Sequence, residues 1–155
     1  MNQVREKKFQ EVKLKGFNLA SFISEKSNFD KNAFYHGENC FILENQTIQK
    51  NVKIGDNVMI WSSNHIGHGS IVGDHSYISS QVVISGNSKI GKRCFFGVNS
   101  ATADFANIGD DVFVGMGASV TSKVKSGSVV LSDKSKIYDE DTRISKMIKK
   151  KYFKF

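Results

Sequence analysis

The chain has 155 residues, enough for one domain, and carries a formal charge of +7 with 13 Gly, 12 Phe and no Pro. No stretch approaches the ~20 apolar residues of a membrane span, and the start MNQVREKKFQ has no apolar run of the kind that opens a secretory leader. The charge gathers at the ends, in Arg5, Lys7, Lys8, Lys13 and Lys15 and again in Lys146, Lys149, Lys150, Lys151 and Lys154. No nucleic-acid fold signature accompanies it, so it predicts solvated ends or attraction for a polyanionic small molecule, not a nucleic-acid polymer.

In chain order, QVREKKFQEVKLK (3–15) is rich in helix formers, with Val4, Phe9, Val12 and Leu14 as candidate packing residues and Gly16 as the stop. FNLASFIS (17–24) alternates apolar and polar residues and reads as a strand. Residues 25–35 read as a loop leading into a first coil near His36-Gly37. Residues 1–35 thus form an N-terminal helix, strand and linker, 36–131 the main domain, and 132–155 a C-terminal helical tail.

The main domain is set by one column. From Ile42, every sixth residue to Val120 is bulky and apolar, with Thr102 the exception among 14 positions. A helix needs a period near 3.6 and a two-faced strand a period of 2. A strict period of six makes each hexad one short strand plus one corner, and three hexads one triangular coil of an all-β solenoid. The residue two before each apolar position is small or branched (Cys40, Val52, Ser70, Ser76, Ala106) and should also point inward. The residue three after it is rich in Asn and Gly (Asn45, Asn51, Asn57, Gly69, Asn87, Gly117), which accept φ > 0 most cheaply, so this column should turn each corner. Cys40 and Cys94 lie three coils apart in one inward column, about 14 Å at the strand spacing, beyond disulfide reach. Buried reduced thiols are expected, and the cytoplasm fits them.

After Thr121 the register dissolves, and SVVL (128–131) reads as a last short strand. Asp139-Glu140-Asp141-Thr142 then precedes RISKMIKKKYF, a helix with acids at its start and lysines at its end. Its expected role is to cap the open end of the solenoid.

Three of the four histidines fall together in WSSNHIGHGSIVGDHSYISS: His65, His68 and His75. His65 sits on a strand, where it is a wall residue or a second candidate base. His68 lies at a corner, and the residue one coil above it is Gly86, which has no side chain. A histidine facing a cleared space with a bare backbone N–H beside it suits a general base next to an acyl carbonyl.

The run HIGHGSIVGDHSYISSQVVISGNSKIGKRCFFGVNSATA, with NIGDDVFVGMGASVTSKV after it, resembles the hexapeptide-repeat sugar acetyltransferases of the sialic-acid O-acetyltransferase and bacillosamine N-acetyltransferase group, over roughly residues 40–125. The resemblance implies a left-handed parallel β-helix, a homotrimer, acetyl-CoA as co-substrate and no metal. It also implies a sugar or nucleotide-sugar acceptor of lipopolysaccharide or other surface-polysaccharide biosynthesis. The family's catalytic histidine, in an H-x-x-x-I-G context, matches His68 with Val72 for the Ile. Its acidic partner falls on Gly69 and a second, sugar-holding histidine on Tyr77, with Asn64 a further substrate-side candidate. The acetyl-CoA contacts carry over to Gly86, Val98, Met116 and Gly117, with the phosphates expected near Lys123, Lys125 or Lys134. The resemblance further implies that this chain starts near the last helix and strand of the family's N-terminal nucleotide-sugar domain, without its Gly-rich first loop. Two alternatives stay open. One is a non-catalytic β-helix scaffold or assembly subunit. The other is a trimeric zinc hydratase resembling the γ-type carbonic anhydrases, although the histidine spacings here, three and seven, depart from that family's pattern.

Overall fold

In a computed structural model, residues 1–29, 34–133 and 137–152 are described. They form a parallel β-solenoid with one helix before it and one after. Its strands fall on three faces. Face I stacks Phe22–Ile23, Phe41–Ile42, Met59–Ile60, Tyr77–Ile78, Phe95–Phe96, Phe113–Val114 and Val129–Val130. Face II stacks Asn28–Phe29, Thr47–Ile48, His65–Ile66, Val83–Ile84, Ala101–Thr102 and Ser119–Val120. Face III stacks Phe34–His36, Val52–Ile54, Ile71–Val72, Lys89–Ile90 and Asn107–Ile108.

The register follows the hexads. Ile60 pairs with Ile78, Ile66 with Ile84 and Val72 with Ile90, each one 18-residue coil apart. Every second side chain of a strand points to the same side, so these residues line the axis. Ile42, Ile54, Ile60, Ile66, Val72, Ile78 and Ile84 are fully buried, and burying each stabilises the fold by about 1.5–3 kcal/mol. Thr102 is buried as well, and its hydroxyl accepts from the Ser85 N–H at 3.0 Å. Cys40 and Cys94 are unpaired and buried, and each thiol reaches a carbonyl of the coil above, Gly55 and Gly109, at 3.1 Å. Burial pushes the Cys94 thiol up to about 11 and raises Cys40 in the same direction.

Each corner turns on one left-handed residue, in the expected column. Asn39, Asn45, Asn51, Asn57, Asn87 and Asn99 all have φ between 54° and 62°. Ser63, His75, Gln81, Arg93 and Asp111 also turn corners in this column, and Phe105 does so as an apolar residue. It has φ +59° and is 74% exposed, a conformation that costs a non-glycine residue roughly 1–2 kcal/mol.

Three expectations are corrected. The solenoid begins before residue 36: Asn28–Phe29 and Phe34–His36, read from sequence within a loop, are strands that pair with Thr47–Ile48 and Val52–Ile54. Residues 30–33 of that segment lie outside the described residues. The first helix, α1 (Asn2–Leu14), is present, but Val4 and Leu14 are exposed and only Phe9 of the four packing candidates is buried. Polar contacts hold it instead. Asn2 donates to the carbonyls of Arg93 and Cys94, Arg5 to those of Asn57 and His75, and Glu6 pairs with Arg93 at 3.3 Å. The last helix, α2 (Arg143–Tyr152), is held through the segment before it. Ser145 donates to the Tyr138 carbonyl and Lys149 to Glu140, while Ile144, Met147 and Ile148 stay exposed, so these apolar side chains do not cover the end of the coil as a cap would. Phe153, placed in that helix from sequence, lies outside the described residues.

Candidate active site

The corner between faces II and III gathers the polar residues that carry chemistry. Backbone bonds stack its coils in order: Gly69 N–H to Lys50 O at 3.0 Å, Asn87 N–H to His68 O at 2.7 Å, and Phe105 N–H to Gly86 O at 2.9 Å. Lys50, His68, Gly86 and Asp104 therefore form one column along the prism. His68 is exposed there, and Gly86 above it is buried.

The His68–Gly86 relationship expected from the 18-residue step is present. A β-carbon on Gly86 would lie 2.7 Å from His68 Cε1, 3.0 Å from His68 Nε2 and 3.2 Å from Asp104 Oδ1. The imidazole and the carboxylate thus face the same spot from opposite sides. The Gly86 N–H makes no hydrogen bond to another described residue.

The other side of the ring is fixed from the coil below. The His68 N–H donates to Gln49 Oε1 at 2.8 Å, and Nδ1 lies 3.2 Å from that same oxygen. Asn87 Nδ2 approaches Nε2 at 3.4 Å. Beneath the ring is a cavity of about 420 Å³ lined by Asn28, Phe29, Thr47, Ile48, Gln49, Lys50 and His68. Gln49, Lys50 and Asp104 were not singled out from sequence, and Asn87 only as a corner residue. Reading one or two coils up and down from His68 reaches Lys50 and Asp104, as it reached Gly86.

The remaining candidates lie elsewhere. His65 stands on the outer side of face II between Thr47 and Val83, half-buried, as a wall residue does. Asn64 is buried and engaged on both sides: its side-chain oxygen accepts from the Val82 N–H at 2.6 Å and its amide donates to the Trp61 carbonyl. It holds a corner and does not reach the cavity. Tyr77 belongs to an aromatic ladder on face I, between Trp61 and Phe95, with ring centroids 6.4 and 5.3 Å away. Phe95 stacks in turn on Phe113 at 5.0 Å. Val98, Met116 and Gly117 lie at the corner between faces I and II, where the Gly117 N–H bonds the Val98 carbonyl and Met116 is 73% exposed. Within one chain, then, His68 and Gly86 come together, and the other acetyl-CoA candidates occupy a different corner. Lys123 and Lys125 are exposed at the end of the coil, and Lys134 lies outside the described residues.

The three clustered histidines separate. His75 turns the corner between faces III and I, with φ +62°, and is buried under α1. Its Nδ1 meets the Asn57 amide at 3.0 Å, its Nε2 lies 3.6 Å from Glu6, and the Phe9 ring packs edge-on at 5.5 Å. Burial holds its pKa below the usual histidine range. Among the described residues no group of three or more His, Cys, Asp or Glu side chains is placed to hold a metal ion.

Two family models match this solenoid: the bacterial transferase hexapeptide (six repeats) over residues 51–86, and the hexapeptide repeat of succinyl-transferase over 89–122. Residues 51–86 and 89–122 thus carry hexapeptide repeats. Its coil is the left-handed parallel β-helix that the resemblance implies. Among solved structures, it is similar to the acetyltransferase domain of PglB from Neisseria gonorrhoeae, with a TM-score of 0.82 and 20% identity over 88% of this chain and 66% of that one. PerB from Caulobacter crescentus, solved with CoA and GDP-perosamine, matches with a TM-score of 0.82 and 22% identity over 89% of this chain and 66% of PerB. A mutant of AntD, an N-acyltransferase from Bacillus cereus solved with dTDP and coenzyme A, matches with a TM-score of 0.65 and 18% identity over 94% of this chain and 95% of AntD. The chain thus spans about two thirds of the PglB domain and of PerB. At these identities what is shared is the fold.

Proposed function

We propose that this hexapeptide-repeat protein transfers an acyl group, in the first instance acetyl, from CoA to an amine or hydroxyl of a sugar. The observation that carries the reading is the His68–Gly86 pair, a ring nitrogen facing a space held open by a missing side chain, with a backbone N–H beside it that no described residue takes up. The neighbours solved with CoA and a nucleotide or nucleotide sugar support the substrate classes.

The acceptor sits against His68 Nε2 in the space beside Gly86, and the thioester approaches along the same corner. His68 Nε2 takes the proton of the acceptor N–H or O–H as that atom attacks the thioester carbonyl carbon. A neutral imidazole suits this near pH 7. The Gly86 N–H donates to the carbonyl oxygen as it gains charge. The C–S bond then breaks, and the proton on His68 passes to the departing thiolate. Such a base is worth about 10²–10⁴ in rate.

A homotrimer completes the groove in this reading. Val98, Met116 and Gly117 occupy one corner and His68 another, so a three-fold assembly that lays the first corner of one copy against the second corner of its neighbour would unite them. The partly exposed Trp61 and Phe113 of face I are apolar surface available to such an assembly. The cytoplasm, where CoA is at hand and thiols stay reduced, fits the buried free cysteines.

The test is incubation with acetyl-CoA and a panel of amino sugars, neutral sugars and their nucleotide-linked forms, read by mass spectrometry. Addition of one acetyl group to one acceptor class, with release of free CoA thiol, is expected. No acetylation of any acceptor together with no CoA binding would leave the scaffold reading in its place.

A further inference from the structure

We propose that Gln49 selects the tautomer of His68, and so makes Nε2 the nitrogen that accepts the proton, in the part the resemblance gives to a carboxylate at position 69. This rests on the acyl-transfer reading for its consequence, but not for its geometry. The chain of reasoning starts at the backbone. The His68 main-chain N–H can only donate, and it points at the Gln49 amide at 2.8 Å, so the atom it meets must be the side-chain oxygen. That assignment leaves no freedom to flip the amide. Nδ1 of His68 lies 3.2 Å from the same oxygen, and two acceptors do not pair, so Nδ1 carries a hydrogen. In the neutral ring the lone pair is then on Nε2, the nitrogen that faces the spot beside Gly86. The contact from Asn87 Nδ2 to Nε2, at 3.4 Å, is a donor meeting that lone pair and agrees with the same tautomer.

The structure also explains why the orienting group comes from another coil. Gly69 turns its corner with φ +67°, and a β-carbon there would stand 2.5 Å from Asn87 Oδ1. Asp111 shows that this corner column admits an acidic residue, but at 69 a side chain would have to push the Asn87 amide aside. Gln49 avoids this by reaching up from the coil below, and one oxygen serves both the backbone and the ring. The orienter is neutral. The charged groups of this corner are Lys50, one coil below the ring, and Asp104, across the space beside Gly86; neither touches Nδ1. The imidazolium formed in each turnover therefore has no carboxylate on its far side.

The experiment uses the full chain and reads two quantities that a merely structural residue would not move. The first needs no substrate. In protein labelled with ¹⁵N-histidine, with His68 assigned through His68→Ala, nitrogen shifts give the protonated ring atom. The parent should show hydrogen on Nδ1, and Gln49→Leu should shift His68 toward the Nε2–H form. The second is the pH–rate profile of acetyl transfer. Gln49→Leu should lower kcat by about 100-fold with KM for acetyl-CoA nearly unchanged, the cost typical of a small misplacement at a reacting centre. Gln49→Glu should recover most of the rate and move the acid limb up by about one pH unit, because a carboxylate beside the ring favours its charged form. An Nε2–H tautomer in the parent, which is readable even if Gln49→Leu fails to fold, overturns the proposal. So does an acid limb that stays put in Gln49→Glu. If the tautomer shifts as expected while no acceptor is acetylated, the acyl-transfer reading fails and the positioning by Gln49 stands.

Discussion

His68 and Gly86 hold each other to type. The ring carbon Cε1 lies 2.7 Å from where a β-carbon on Gly86 would stand, closer than real β-carbons approach anything. Gly86 has no left-handed φ, so its lack of a side chain serves the space and not the turn. Gly86→Ala should therefore fold normally, since the colliding atom belongs to an exposed side chain that can swing away. It should do so by tilting the ring off Gln49, and kcat should fall by about tenfold or more. Thermal melts and steady-state rates on the same preparation check both halves. Unchanged kcat would mean that the ring is not where the reaction needs it. Gly86→Val adds bulk to the path of the pantetheine arm and should also weaken CoA binding by calorimetry.

The two neighbouring histidines should behave oppositely. His68→Ala removes the proton acceptor and should cost about 10²–10⁴ in rate, with CoA binding and melting temperature near the parent's because the residue is exposed. The loss should be larger for a hydroxyl acceptor than for an amine, which can deprotonate in solution. His65→Ala removes a half-buried wall residue between Thr47 and Val83. It should cost about 1 kcal/mol of stability and little rate. Equal rates for both variants and the parent, at pH 7 and below, would mean that no histidine base operates and that transfer proceeds by positioning alone.

The coil architecture was legible because two spacings repeat. The six-residue step located the inward strands from Ile42 to Val120, and the Asn/Gly column located the left-handed corners, down to Asn87 at φ 55° and Gly117 at φ 65°. The 18-residue step brought Gly86 over His68. What was missed follows from breaks in the same steps. Ile23 pairs with Ile42 and Phe29 with Ile48, 19 residues apart, while His36 pairs with Ile54 at 18. Counting back from Ile42 in sixes therefore falls out of register before His36, and the part of the first coil after the strand at 17–24 read as a loop. Gln49 was missed for a related reason: it lies 19 residues before His68, and its long side chain crosses between columns that spacing treats as separate. Asn64, a substrate-side candidate from sequence, is spent inside the corner. The attachment of α1 through Asn2, Arg5 and Glu6 left no apolar stripe for periodicity to find.

The inward column can be tested at its centre. Ile78 is fully buried and sits between Ile60 and Phe96 on face I. Ile78→Asp would place an unpaired charge in a dry interior, at a cost of several kcal/mol, comparable to the whole stability of a domain. No folded soluble protein is expected, by expression and circular dichroism. Ile78→Val, which removes one methylene, should fold and lose about 0.5–1.5 kcal/mol. Normal folding of the aspartate variant would show that this side chain points outward.

Acid should loosen α1 through His75. The ring is buried between Asn57, Glu6 and Phe9, and burial outweighs the attraction of Glu6 and Asp74, with Arg5 and Arg93 adding to the downward shift. The folded-state pKa therefore lies below the ordinary value of 6.5. In the unfolded chain His75 takes up its proton as pH falls through that ordinary value, whereas the folded chain resists it. Below it the unfolded state binds more protons, so stability falls with falling pH and is fully present above. The parent should lose melting temperature between pH 7 and pH 5. His75→Asn should cost about 1 kcal/mol at neutral pH through the lost Phe9 contact, since asparagine tolerates the φ of +62° found there. Its melting temperature should nevertheless change less between pH 7 and pH 5 than the parent's. Losses from carboxylates such as Asp74, whose pKa is held below the usual carboxylate range by its bond to Lys92 despite the opposing effect of burial, fall at lower pH and are common to both proteins. Parallel pH curves for the two proteins would show that the proton taken up on acidification does not go to His75.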